Sequence, residues 1–255
     1  MPNSLKEWLE HLEADLSKDI KEGRRFRSYV GEVICNTESF YTWKKGGRDT
    51  VRKEGNATII DLAPFQTKAV SPIPIRFRLS GDWYNYYEGK TILVLGGICR
   101  SVVSLEEKAI FDTLAKDVKV FELSSNVCKL DMLQEAIHFI GSEGSFADTL
   151  LVNPLQIPKL LGEKGFIPRW SLGQGYIEQK GEAFAGLLGH LSVYETAELS
   201  VSEVLLYEKS ETRVRKTPIV VKFDDYSNPK ILAIKEDIFA WTLDNESIAK
   251  IALKA

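Results

Sequence analysis

The residues able to do chemistry are few and scattered. The chain of 255 residues holds three His and three Cys. His11 falls in a helical stretch with surface character, His138 stands beside Phe139 in a second helix, and His190 sits in an apolar stretch with glycines. Each reads as structural. Cys35, Cys99 and Cys128 are far apart. A structural zinc site takes four ligands at close paired spacings, and this set offers none. Such a sparse, odd set reads as reduced thiols that pack as small hydrophobes in a cytosolic setting. No Gly-x-Ser-x-Gly elbow occurs. No spacing among the 36 acids singles out a carboxylate pair for acid–base work. The expectation is a protein with no catalytic, cofactor or metal residues.

Two stretches imitate nucleotide sites. TILVLGG over 91–97, then a helix and VKVF over 118–121, imitates the start of a βαβ unit. A dinucleotide site needs three glycines so that amides at a helix N-terminus can meet the pyrophosphate. Only Gly96-Gly97 is present. The triplet Gly89-Lys90-Thr91 lacks the earlier glycine of a P-loop, Tyr84 standing in that place, and it precedes a predicted strand. A nucleotide-binding enzyme built on 92–121 stays as the alternative of another class, and it requires a strand at 92–95.

Charge is the third feature. The net charge is -3, which argues against a strongly basic, duplex-coating surface. The basic residues are nevertheless concentrated: Arg24, Arg25, Arg27, Lys44, Lys45, Arg48, Arg52 and Lys53 face only Glu32, Glu38 and Asp49 over 24–53. Phosphate contact is one reading of 44–53. A solvated hairpin tip, or ion pairing with an acidic neighbouring subunit, is the reading favoured here.

The elements that must carry these residues follow from periodicity. Residues 4–22 read as an amphipathic helix with Ser4 as N-cap, Glu7 at the capping-box position, and a stripe of Leu5, Trp8, Leu9, Leu12, Leu16 and Ile20. Residues 24–80 read as a long projecting hairpin whose tip is Lys44-Lys45-Gly46-Gly47, closed by Pro72 and Pro74. Such an arm cannot bury a core alone, so it needs something to dock on. A buried strand is expected at 92–95. A helix capped by Ser104, with Glu106 and Glu107 in its first turn, is expected to run as far as 123. A further helix is expected at 130–140, a strand ending in Asn153-Pro154, and a short helix at 155–162. Glycine-rich loops at Gly173, Gly175 and Gly181 follow, then strands at 203–207, 219–223, 230–235 and 238–243. Hydrophobic residues make up 44% and charged residues 27%, as in a cored α+β protein. No apolar run approaches the roughly 20 residues of a membrane span, and the N-terminus is not patterned as a secretory signal.

Four stretches carry a resemblance. SVVSLEE over 101–107 is similar to the start of a spine helix. FADTLLVNP over 146–154 resembles a strand that ends in Asn-Pro. GLLGHLSVYE over 186–195 resembles a glycine turn that leads into a short strand. SIAKI over 247–251 resembles a terminal strand. In this order, behind a helical arm and a basic hairpin, they resemble the tailed-phage major capsid protein of the Hong Kong 97 type, a fold shared with encapsulin shells.

The resemblance implies an α+β fold in four parts. These are an N-terminal arm helix (1–23), an extended E-loop (24–80), a peripheral domain with a spine helix near 104–123 (81–145 and 226–255), and an axial domain (146–225). It implies self-assembly into an icosahedral shell, more readily a viral capsid around DNA than an encapsulin around cargo enzyme. The partners would be copies of the chain, with packaged DNA or cargo protein at the inner surface, no membrane and no cofactor. The location would be the virion after assembly in the host cytoplasm, or the cytoplasm for an encapsulin. Candidate inter-subunit contacts are Trp8, Leu12, Leu16, Arg25, Tyr41, Trp43, Lys44, Lys45, Arg48, Arg52 and Lys53. Some relatives crosslink an arm Lys to an Asn of the next subunit. Lys44, Lys45 and Lys53 are the corresponding donors here and Asn245 an acceptor, with nothing in the sequence to select them.

Overall fold

The computed structural model describes residues 10, 13–15, 18, 25–35, 41–45, 50–54, 57–61, 65–69, 72–80, 83–142, 144–223, 231–243 and 245–254. The expected helix over 4–22 lies largely outside them, with helical backbone described at Glu10, 13–15 and Lys18. There the Glu13 carboxylate accepts the Val221 amide at 2.9 Å.

The chain opens with a short 3-10 turn, Arg25–Ser28, and β1 (Glu32–Cys35). Then come β2 (Tyr41–Lys45), β3 (Thr50–Glu54), β4 (Ala57–Asp61), β5 (Phe65–Ala69) and β6 (Ile73–Ser80). Helix α1 (Trp83–Leu114), β7 (Lys119–Leu123), α2 (Gln134–Ser142), β8 (Thr149–Val152) and α3 (Ile157–Leu160) follow. Next are β9 (Phe166–Pro168), α4 (Gln174–Lys180), β10 (Phe184–Leu188), β11 (Leu191–Glu195) and β12 (Glu203–Tyr207). The chain ends with β13 (Thr212–Lys216), β14 (Val220–Phe223), β15 (Ile231–Thr242) and β16 (Ile248–Leu253).

Two sheets form the body. The seven-stranded sheet has the order β7-β16-β12-β8-β11-β10-β9, with β8 at its centre. Side chains alternate across it with period two, so each face builds its own core. Leu151, Phe184, Tyr194, Leu205, Tyr207 and Ile248 face the end of α1, where Ile110, Phe111 and Leu114 close the layer. Leu150, Val152, Val193, Val204, Leu206 and Ile251 face α2, which contributes Ala136 and Ile140. In the second sheet β15 is the spine. Ile238 pairs with both Lys216 of β13 and Ile73 of β6, so these strands flank it; β14 continues along the β13 side, and β1 adds parallel to β13.

Asn153 ends β8 by a mechanism that the Asn-Pro spelling announces. Its Oδ1 accepts the Leu155 amide at 2.9 Å, and its Nδ2 donates to the Leu199 carbonyl at 2.7 Å. Pro154 starts the following 3-10 turn, where an amide hydrogen is not needed.

Several expectations are corrected. Residues 92–95 are not a strand but part of α1, a single helix of 32 residues, about 48 Å long at 1.5 Å per residue. The βαβ unit of the nucleotide reading therefore does not exist. Ser104 is not a cap and Glu106 and Glu107 are not in a first turn; all three lie deep within α1. The helix ends at Leu114, and 119–123 is strand β7. The strands expected at 230–235 and 238–243 are one continuous strand, β15. Gly175 lies in helix α4 rather than in a loop. Lys44 and Lys45 pair with Gln66 and Phe65 instead of forming the hairpin tip, which falls between Glu54 and Ala57.

Candidate assembly surfaces

The most constrained polar groups lie on α1, where it meets both sheets. The Ser104 hydroxyl donates to Glu198 at 2.5 Å. Glu106 is fully buried and pairs with Lys216 of β13, which also reaches Glu236 of β15 at 2.7 Å. Glu107 faces the other way and accepts from the Thr196 hydroxyl at 3.1 Å, just beyond β11. One helical turn thus holds both sheets. Burying acids is costly unless each is paired, so these contacts fix how the two sheets are oriented. Burial raises the Glu107 pKa, opposed by its bond from Thr196, and burial raises Glu236 likewise against the charge of Lys216.

The root of the N-terminal arm is locked to this place. Phe26, Tyr29 and Val30 are buried in the core beside α1. Tyr29 stacks on Phe111 with centroids 5.8 Å apart. Its carbonyl accepts the Tyr207 hydroxyl at 2.9 Å, and the Ser28 carbonyl accepts Lys209 Nζ at 2.6 Å. Burial, reinforced by the Glu107 charge, holds the Tyr29 phenol far above its ordinary pKa. Burial and the neighbouring Lys180 lower that of Lys209. Arg25, a candidate for contact with a neighbour, is engaged within its own chain, 3.1 Å from Glu195.

Beyond this root the arm changes character. β2 pairs with β5 and β3 with β4, as two separate antiparallel ladders, and among the described residues neither ladder joins another sheet. Tyr41, Trp43, Lys44 and Lys45 lie on β2, and Arg52 and Lys53 on β3. Arg52 and Lys53 are exposed, and Arg52 reaches Glu54 at 3.3 Å. Trp8, Leu12, Leu16 and Arg48 lie outside the described residues. The basic β2 and β3 residues thus lie on two separate ladders, and Arg25 lies in the turn that precedes β1.

Sequence reasoning missed a second surface. Leu155, Leu161, Ile167, Trp170 and Tyr176 are exposed, and all fall around edge strand β9 in sequence. The signal available was FIPRW over 166–170, a proline-bounded run of large apolar residues. His190 and Phe146, 5.5 Å apart, add an exposed aromatic pair near the β10–β11 turn. Among the described residues no cluster of three His, Cys, Asp or Glu side chains could hold a metal ion, and no helix is long and apolar enough to cross a membrane.

No protein-family model and no curated protein matches the chain. Solved structures do. A virus-like particle from Pyrococcus furiosus matches at 15% identity and a TM-score of 0.61, over 96% of this chain and 99% of that one. The capsid of a native GTA particle matches at 11% identity and 0.59, over 91% and 90%. An encapsulin complex from Synechococcus elongatus matches at 10% identity and 0.54, over 89% and 86%. The chain therefore has the α+β fold of the Hong Kong 97 type, as the resemblance implied.

Proposed function

We propose that this chain is a structural protein that assembles with copies of itself into a closed icosahedral shell. The observation that carries the reading is the shared fold over nearly the full length of both this chain and the virus-like particle chain. Two features of the molecule support it. The arm is anchored at Phe26 and Tyr29, yet its ladders pair only with themselves among the described residues. Two-stranded ladders are marginal alone and gain stability by lying on another surface. In a closed shell that surface is a neighbouring subunit.

The parts take the following roles in this reading. Residues 24–80 supply the arm and E-loop. Helix α1 and the sheet around β15 form the core of the peripheral domain. The seven-stranded sheet, centred on 146–225, forms the core of the axial domain, with β7 and β16 supplied by the flanking segments. Tyr41 and Trp43 offer apolar area to the neighbour, and Lys44, Lys45, Arg48, Arg52 and Lys53 pair with its acidic body. Trp8, Leu12 and Leu16 offer further apolar area for contact with a neighbouring subunit. Apolar burial drives association, and charge complementarity sets register and suppresses wrong pairings.

The shell is read as a viral capsid around DNA, assembled in a host cytoplasm. The fold match to an encapsulin complex favours a second reading, a cytoplasmic compartment around cargo protein. Negative-stain microscopy of the purified chain tests the shell, and closed uniform particles are expected. The nucleic-acid absorbance of those particles separates the two contents. A chain that stays monomeric at high concentration and across salt conditions overturns the proposal.

A further inference from the structure

Two half-buried lysines meet beside the arm root, and among the described residues neither makes an ion pair. Lys180, at the end of α4, donates to the Ser192 hydroxyl at 3.0 Å. Lys209, in the turn after β12, donates to the Ser28 carbonyl at 2.6 Å. Its Nζ also stands 5.8 Å from the centre of the Tyr194 ring. Ser192 and Tyr194 are two residues apart on β11, so their side chains leave the same face of the sheet. That face brings the two ammoniums close enough to repel one another.

Tyr194 supplies the second observation. It is 1% exposed, and its ring packs against Tyr29 and Phe184 at centroid distances of 5.9 and 5.7 Å. The ring is committed to the core. Its hydroxyl has no hydrogen-bond partner among the described residues and opens at the rim where the lysines stand. Asp148 is the acid within charge reach of Lys209 and Tyr194. Its Oδ1 already accepts the Lys209 amide at 2.9 Å and the Thr149 hydroxyl at 2.8 Å. One carboxylate thus stands against two ammoniums, and the group keeps a net positive charge. Donors are in excess as well. Each ammonium has three N–H bonds and spends one on the protein. The Ser192 hydroxyl, which accepts from Lys180, keeps its own hydrogen to give.

We infer that Lys180, Lys209 and Tyr194 form a binding site for an oxyanion of the phosphate type, with Ser192 as a further donor. The two ammoniums supply charge-assisted hydrogen bonds, which are stronger than neutral ones. The Tyr194 hydroxyl supplies a directed one from a ring that the core holds still. A tetrahedral oxyanion accepts from several directions, which suits donors that arrive from α4, β11 and the turn after β12. Chloride offers one charge and no direction. Occupancy offsets the repulsion between the lysines and keeps Lys209 on the Ser28 carbonyl, so the ligand tightens the root of the arm.

The site needs only the folded chain, so its test is separate from that of the shell. Inorganic phosphate is titrated calorimetrically into the full chain in chloride buffer at constant pH and ionic strength. Saturable binding of one phosphate per chain is expected, with a melting temperature that rises with phosphate. Lys180→Gln removes one charge at the rim and should weaken binding about tenfold or more. Tyr194→Phe keeps the ring, loses the hydroxyl, and should weaken binding about fivefold. Lys116→Gln, an exposed lysine elsewhere, should leave binding unchanged and so excludes a general charge effect. Phosphate that binds no better than chloride overturns the inference. So does saturable binding that is unchanged in Lys180→Gln or in Tyr194→Phe. If Tyr194→Phe fails to fold, Lys180→Gln decides alone.

Discussion

Replacing Asn153 by Ala removes two bonds that end β8. The first is the 2.9 Å cap on the Leu155 amide, and loss of such a cap costs about 1 kcal/mol. The second is the 2.7 Å donation to the Leu199 carbonyl in a buried setting. An acceptor stranded without water costs about 1–3 kcal/mol. The expected total is about 2–4 kcal/mol. Asn153→Ser separates the two parts, because a serine hydroxyl can cap Leu155 but does not span the distance to Leu199. It should lose only the second share. Urea unfolding of the unassembled chain, followed by tryptophan fluorescence, reads both values from the midpoint at constant slope. An Asn153→Ala loss under about 0.5 kcal/mol, the range of an ordinary surface change, would refute the view that this side chain holds β8 to the 196–201 loop. A Ser variant as damaging as Ala would refute the partition.

Further outcomes follow from other sites. Burial keeps Glu107 protonated above the ordinary carboxylate value of 4.5, so its favourable share of stability is complete below that value and lost as pH rises through the raised one. Glu107→Gln should flatten this decline, and a wild-type slope in pH-dependent melting would contradict it. Cys128 is buried and its thiol is pushed up to about 12, so alkylation at neutral pH should spare it until the chain unfolds. Gly181 has φ of +87°, and a Cβ there would collide with Ser28 Oγ at the arm root. Gly181→Ala should cost at least about 1–2 kcal/mol in unfolding free energy from backbone strain alone, with Ser28→Gly relieving only the collision. Deleting 41–69 through a short glycine–serine bridge should leave a soluble, folded body that forms no particles by light scattering.

The sequence made part of this legible for physical reasons. Asn153-Pro154 ends a strand by local chemistry, and local chemistry can be read from a few residues. The seven apolar residues of 92–98 could not be assigned that way, since a short apolar run fits a buried strand or a helix equally well. Only the helical continuation on both sides decides it. Glu106 and Glu107 were misread because acids near a Ser imitate a helix start, whereas their partners Lys216 and Thr196 are distant in sequence. The pairing of Glu54 with Ala57 did leave a signal in the sequence between them, where Gly-Asn is a spelling that favours a turn. The β9 surface was hidden because exposure depends on which strand lies at a sheet edge, and strand order is not local information.

The most direct measurement is electron cryo-microscopy of the purified chain with icosahedral averaging. The account predicts closed particles in which the β2–β5 and β3–β4 ladders lie across an adjacent subunit. Monomers that persist across concentration and salt would contradict it, and so would an assembly in which each arm touches only its own subunit.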